Sequence, residues 1–213
     1  MFVGTELSDG SILVIGERAS GGNFVNEEMK KYQIIYADPP WSYSDQGCQG
    51  TMANHYNGLA LKDICALPIK DISDKNCVLF LWATYPMLKE ALKVIESWGF
   101  QHKSIAFQWI KLNKRNGRPF YGLGRWTRGN SEPCLLATKG KPKRISAGVF
   151  QLIQSPILKH SEKPQETRGK IIELLGDLPR IELFARQQTP GWDCIGNEIN
   201  GKDIRQELEE MIQ

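Results

Sequence analysis

The chain has 213 residues, 41% of them apolar and 24% charged, with a formal net charge of +3. That length and balance suit a single globular domain over residues 1–213 with a sizeable core. No apolar run approaches membrane-spanning length, which excludes a helical membrane protein. The first residues lack the basic and apolar regions of a secretory signal. The five cysteines (Cys48, Cys65, Cys77, Cys134, Cys194) form no C-x-x-C pair, and the three histidines are far apart. These features predict reduced thiols, a cytoplasmic setting and no metal site.

Taken in chain order, Ser11–Ile15 suits a short strand and Asn26–Lys31 a short helix. The apolar run Ile34–Ala37 reads as a short buried strand over residues 33–37. Residues 42–58 are polar and Gly-rich, the pattern of a loop over a site. Leu61–Leu67 suits a short helix, and Cys77–Trp82 a buried strand. Met87, Leu88, Ala91, Leu92, Val94, Ile95 and Trp98 follow helical spacing, with Gly99 as a stop. Ile105–Leu112 and Cys134–Thr138 read as strands. Pro164 stands at a helix first turn, and Gly176 closes that helix. Ile181–Ala185 and Trp192–Ile195 read as the last strands, and Asp203–Ile212 as an amphipathic helix. Strands alternating with helices predict an α/β domain with a mostly parallel sheet.

The tetrad Asp38-Pro39-Pro40-Trp41 directly follows the 33–37 strand. Ligand sites in open α/β sheets lie at such strand ends. An amine conjugated to an aromatic ring is a poor nucleophile, because its lone pair is delocalised. The Asp38 carboxylate and the Pro39 carbonyl can accept its two hydrogens and favour a tetrahedral nitrogen. Pro39 and Pro40 restrict the backbone that carries those acceptors. Trp41 offers a flat face for an extruded base. The same tetrad also suits a plain turn beside a core tryptophan.

Charge is unevenly spread. Ten basic residues and one acid, Glu132, lie between Lys111 and Arg144, a local net of +9 on an otherwise acidic chain. Phe120, Tyr121 and Trp126 interrupt them. Basic residues with interleaved aromatics predict a surface that neutralises phosphates and stacks bases. The alternative is a solvated, solubilising loop.

From Tyr36 to Gly201 the sequence resembles the DPPW adenine 6-amino methyltransferases, the family of the catalytic subunit of the eukaryotic mRNA adenosine methyltransferase. The segments YADPPW, HYNGL, VLFLWAT, FQWIKLNK, GRWTRGNSEPCLLATKG, SEKP and IELFARQQTPGWDCIGNEI follow in the family's order. The short form is similar to bacterial and phage members. The resemblance implies a Rossmann-like fold with S-adenosylmethionine as methyl donor. It also implies a permuted order, with the catalytic motif before most of the donor-binding residues. Asp38, Lys163, Phe184, Arg186, Asn197 and Glu198 match donor-binding positions. Lys163 would pair with the methionine carboxylate, and Asn197 with Glu198 would hold the ribose hydroxyls. Tyr56, Trp109 and Glu132 match positions near the target base, although Trp109 equally suits a core residue. Glu132 suits a contact to a base edge or a partner for Arg125 or Arg128. Arg115, Arg118, Arg125 and Arg128 are the expected phosphate contacts.

The implied activity is methyl transfer to the 6-amino group of adenine in nucleic acid, with DNA favoured over RNA. RNA adenosine methylation, amide methylation and a catalytically silent nucleic-acid-binding subunit are the rival readings. Trp41 and the basic aromatic loop disfavour amide methylation, and the intact tetrad disfavours the silent subunit. A homodimer or a partner subunit is compatible with all of them.

Overall fold

The computed structural model describes residues 3–6, 12–15, 29–42, 59–122, 126–158 and 162–213. Strands β1 (Val3–Glu6) and β2 (Ile12–Ile15) pair antiparallel as a separate two-stranded sheet. The main sheet has seven strands: β3 (Tyr32–Ala37), β4 (Ser73–Trp82), β5 (Gln101–Leu112), β6 (Ser131–Lys139), β7 (Leu152–Pro156), β8 (Arg180–Leu183) and β9 (Asp193–Ile195). Their spatial order is β7-β5-β6-β4-β3-β8-β9. β3 runs parallel to β4 and β8, β8 to β9, and β5 to β7. β6 runs antiparallel to both β4 and β5. Six strands therefore point one way and β6 alone the other, so the sheet is mixed. The carboxyl ends of six strands meet the amino end of β6 along one edge.

Both faces of the sheet are covered, as continuous apolar strands require. Ile35, Ala37, Leu79 and Leu81 face one layer. That layer is built from α1 (Leu61–Cys65), α2 (Ile69–Ile72), α3 (Leu88–Ser97) and α6 (Ile204–Ile212). Ile34, Tyr36, Val78, Phe80 and Trp82 face the other, against α4 (Glu166–Leu175) and Trp192. Successive strand residues thus alternate between the two layers. Among the described residues, no helix is long and apolar enough to cross a membrane.

Several elements differ from their sequence expectation. Residues 26–28 lie outside the described residues, and Met29–Lys31 are not helical. The 61–67 helix ends at Cys65, because Pro68 disfavours helical geometry at the preceding residue, and α2 restarts beyond it. β7 has no counterpart in the sequence reading. Its residues Leu152, Gln154 and Pro156 are exposed and only Ile153 is buried, so it carries little strand signal. It exists because its backbone pairs with β5, forty residues upstream.

One charged pair is built into the α4 layer. Arg168 Nε donates to Glu182 Oε2 at 2.6 Å and Arg168 Nη2 to Glu182 Oε1 at 2.5 Å. The guanidinium also lies 5.5 Å from the centre of the Tyr36 ring. Glu182 is 7% exposed, so it depends on this fork for its charge. Arg168→Leu should destabilise the fold by about 3–5 kcal/mol by leaving a buried carboxylate unpaired. Arg168→Leu with Glu182→Leu should recover much of that loss. Urea unfolding of the three proteins measures it, and an unaffected single variant would contradict the assignment.

Candidate active site

The tetrad begins where β3 ends. Ala37 is the last β3 residue, and Asp38 emerges between the ends of β4 and β8. The Trp41 indole N–H donates to the Trp82 carbonyl at 3.1 Å, which fixes the ring against the end of β4. Ser42 Oγ donates to the Leu59 carbonyl at 2.8 Å, so the chain returns to the sheet there after residues 43–58.

Lys163 is brought to this point from the segment before α4. Its Nζ lies 2.8 Å from Asp38 Oδ2 and 3.5 Å from Glu132 Oε2. Lys111 Nζ pairs with the other Glu132 oxygen. The Lys163 side chain is only 11% exposed, and its Nζ also sits 5.7 Å from the centre of the Trp82 ring. Burial opposes its charge, but the Asp38 and Glu132 carboxylates outweigh burial and hold the ammonium above its ordinary 10.5. The cluster is therefore two carboxylates bridged by a charged lysine, with a second lysine behind. Cys134 lies nearby, but burial and the neighbouring Asp38 hold its thiol well above the usual range. It offers no thiolate.

A cleft of about 180 Å³ opens beside this cluster. Asp38 and Lys163 form one wall, and Phe184, Arg186 and Glu198 another, with Tyr36, Arg168 and Glu182 also lining it. Phe184 is the one described non-glycine residue with a positive φ, +60°. That conformation costs about 1–2 kcal/mol and turns the chain at the end of β8. Gly196 is required by close approach. A Cβ there would lie 2.4 Å from the Ala185 carbonyl oxygen. Only glycine lets the chain after β9 pass against the chain after β8, which places Arg186 Nε 3.5 Å from Glu198 Oε1. Asn197 heads the short helix α5 (Asn197–Asn200) and is exposed. A second hollow of about 240 Å³ lies on the other side of Lys163, between Ser155, Pro156 and Gln165.

A further acid holds this wall from behind. Glu207 on α6 is 7% exposed. It accepts from the Gly196 backbone N–H at 2.9 Å and from Asn200 Nδ2 at 2.7 Å. The sequence reading missed it because its partners lie on another element. It also missed Arg168 and Glu182, although a lone acid inside the apolar run Ile181–Phe184 was an available signal.

Most of the expected residues converge. Asp38, Lys163, Phe184, Arg186 and Glu198 share one cleft, and Glu132 reaches it through Lys163. Tyr56 and Arg125 lie outside the described residues. Glu132 pairs with Lys111 and Lys163 rather than with Arg128, whose guanidinium instead lies 4.7 Å from the centre of the Tyr121 ring. Trp109 is a core residue. It is 3% exposed, and its indole donates to the Ser155 carbonyl, so it presents no face to a base. The basic segment is not one surface. Arg115, Arg118 and Arg128 lie at the site end of the sheet, whereas β6 carries Lys139–Arg144 to the opposite end.

A charged cleft at the carboxyl ends of an α/β sheet, with an acid held between two prolines and a lysine, has the make-up of a group-transfer site. The MT-A70 family model matches residues 32–198. The type II methyltransferase M.MunI of Mycoplasma sp. is 36% identical over 195 residues, covering 82% of this chain and 81% of that protein. The N(6)-adenosine-methyltransferase catalytic subunit METTL3 of Homo sapiens is 28% identical over 179 residues, covering 80% of this chain and 29% of its own length. A Drosophila melanogaster MT-A70-like protein is also 28% identical, with 27% of its length covered. The chain therefore spans under a third of these eukaryotic relatives. It belongs to the MT-A70 family and is an S-adenosylmethionine-dependent methyltransferase.

Two predictions follow from the geometry. A folded value above the ordinary one means that the charge on Lys163 stabilises the fold fully below about pH 10. That contribution is lost only as pH rises through the folded value. Lys163→Met should thus cost about 1–3 kcal/mol, constant from about pH 7 to 9.5 and shrinking above about pH 10.5. Urea titrations across that range check this, and a gap that already closes near neutral pH would contradict it. Separately, Glu207→Gln should weaken donor affinity about tenfold, the loss of one charged hydrogen bond, and leave nucleic-acid affinity without donor unchanged. Calorimetry with S-adenosylmethionine decides it; an unaltered dissociation constant removes Glu207 from the support of the site.

Proposed function

We propose that this chain transfers the methyl group of S-adenosylmethionine to the 6-amino group of adenine in DNA. The observation that carries the reading is the placement of Asp38 in the wall of the same cleft as Phe184, Arg186 and Glu198. An acceptor for an amine and a site for a charged nucleoside donor thus share one cavity. The order of these residues along the chain fits a permuted, Rossmann-like methyltransferase, with the tetrad first and the donor wall last.

The residues present fit the donor's chemistry. Lys163 and Arg186 are cations for its carboxylate, Phe184 is an apolar surface for its adenosine, and Asn197 with Glu198 can hold its ribose hydroxyls. When bound, S-adenosylmethionine supplies an electrophilic methyl group on a sulfonium. Asp38 and the Pro39 carbonyl accept the hydrogens of the target amine and direct its lone pair toward that methyl. Trp41, fastened to the Trp82 carbonyl, holds the base in plane. Lys163 is paired with Asp38 before either ligand arrives. Lys163, if also paired with a donor carboxylate, would leave Asp38 freer to accept from the amine. Rate enhancement is then positioning and preorganised acceptors.

DNA is preferred because the relative that matches over most of its own length is named a type II methyltransferase. The relatives named as adenosine methyltransferases keep RNA as the second reading.

Asp38→Asn should lower the turnover number by about 10²–10³-fold or more, because an amide N–H would face a donating amine. Donor affinity should stay within a few-fold of wild type, whereas Glu198→Ala should weaken it. Incubation with labelled donor and separate DNA and RNA pools, followed by nucleoside analysis, tests the assignment. Near-normal turnover in Asp38→Asn with intact donor binding would refute it.

A further inference from the structure

The second half of the basic segment stands away from the site. Between Glu132 and Glu162 the sequence holds no acid and five basic residues: Lys139, Lys141, Lys143, Arg144 and Lys159. Lys139 is used internally, its Nζ donating to Ser73 Oγ at 2.7 Å. Lys141, Lys143 and Arg144 are exposed, and none makes an ion pair among the described residues. They follow β6, whose nine residues carry the chain about 27 Å from the site end to the opposite end of the sheet.

From there the chain climbs back along the sheet edge. The backbone N–H groups of Ile145 and Ser146 donate to the Leu174 carbonyl at the far end of α4. Gln151 Nε2 donates to the Ile105 carbonyl, halfway along β5. β7 then reaches the site end, where Pro156 stands opposite Leu112. Three apolar side chains are uncovered on this path: Ile145 at 72%, Phe150 at 81% and Leu152 at 53% exposure. Lys170 of α4 reaches it too, its Nζ donating to the Phe150 carbonyl at 3.4 Å. At the site end Tyr121 and Trp126 are exposed beside Arg115 and Arg118.

Cations at both ends with uncovered apolar groups between them, and no acid in the chain from residue 133 to 161, match a polyanion with apolar rings and sugars. A protein partner would have to supply every opposing charge. We infer that the nucleic-acid substrate continues beyond its target base along the β7 edge, with Lys141, Lys143 and Arg144 holding phosphates at the far end. This rests on the proposed action on nucleic acid and extends it from a site to a track. The track is a binding surface and leaves the chemistry to Asp38.

The length of the track makes it testable. About 27 Å of duplex is roughly 8 base pairs at 3.4 Å each. The probes are adenine-containing DNA duplexes of about 6 and about 24 base pairs, titrated at several salt concentrations. Lys141→Glu/Lys143→Glu/Arg144→Glu should bind the long duplex at least tenfold more weakly at low salt. Its slope of log affinity against log salt should be shallower by roughly 0.9 per lost contact. Short-duplex affinity and donor affinity should match wild type, which also shows that the variant is folded. Phe150→Asp places a negative charge at an exposed point of the strip outside both core clusters and should weaken only the long duplex. Unchanged long-duplex affinity and slope in both variants would overturn the track. So would a loss of self-association in the variants with nucleic-acid binding intact, since the strip would then belong to a second copy. Methyl transfer by the wild-type protein is measured in parallel. Its absence from every nucleic acid would refute the proposed activity, whereas wild-type activity with indifferent variants would refute the track alone.

Discussion

The ion pair between Lys163 and Asp38 ties together three parts of the chain that are far apart in sequence. Asp38 directly follows β3, Glu132 is the second residue of β6, and Lys163 precedes α4. Each carboxylate alone at a half-buried strand end would be costly to keep charged, and two close together would repel. One buried ammonium makes both tenable. It also places a cation at the junction of two hollows, the cleft that fits a donor and the pocket beside β7. The charge balance of the site thus precedes any ligand, and a ligand carboxylate that reaches Lys163 must share it with Asp38 and Glu132.

Around this junction the walls are set by backbone constraints rather than by the lining side chains alone. Phe184 adopts a strained φ, Gly196 packs so closely on Ala185 that a Cβ would clash with its carbonyl, and Glu207 grips the Gly196 amide from α6. The buried face of an amphipathic helix therefore fixes a surface turn that carries Asn197 and Glu198. On the opposite side, Arg168 and Glu182 close the floor as a neutral pair against Tyr36. Burial holds the Tyr36 phenol well above its usual range, so this floor stays uncharged overall while the rim carries the charges that select ligands.

Much of this was legible in the sequence where the signal is local. The apolar runs at 33–37 and 77–82 became buried strands because both faces of the sheet are covered, and covered strands need no polar residues. The tetrad was legible because an acid followed by two prolines at a strand end has few structural uses. β7 was not legible, since an edge strand with one buried residue earns its structure from a partner forty residues away. Glu207 was equally silent: an acid on an amphipathic helix looks solvated until the turn it holds is known.

The sequence by itself determined the residue types of the site and their order, because catalysis needs particular groups at strand ends and these leave short, dense motifs. Only the tertiary structure decided what those groups do to one another. It made Trp109 a core residue, since β5 presents alternate residues to opposite faces and Trp109 packs between Ile153 and Trp82 in the buried cluster on one of them. It assigned Glu132 to two lysines instead of an arginine. It also divided one run of positive charge between the two ends of the sheet, because β6, antiparallel to both neighbours, carries the chain from one end to the other. Charge along a sequence is additive, but charge on a surface depends on strand direction, and direction is a property of the assembled sheet.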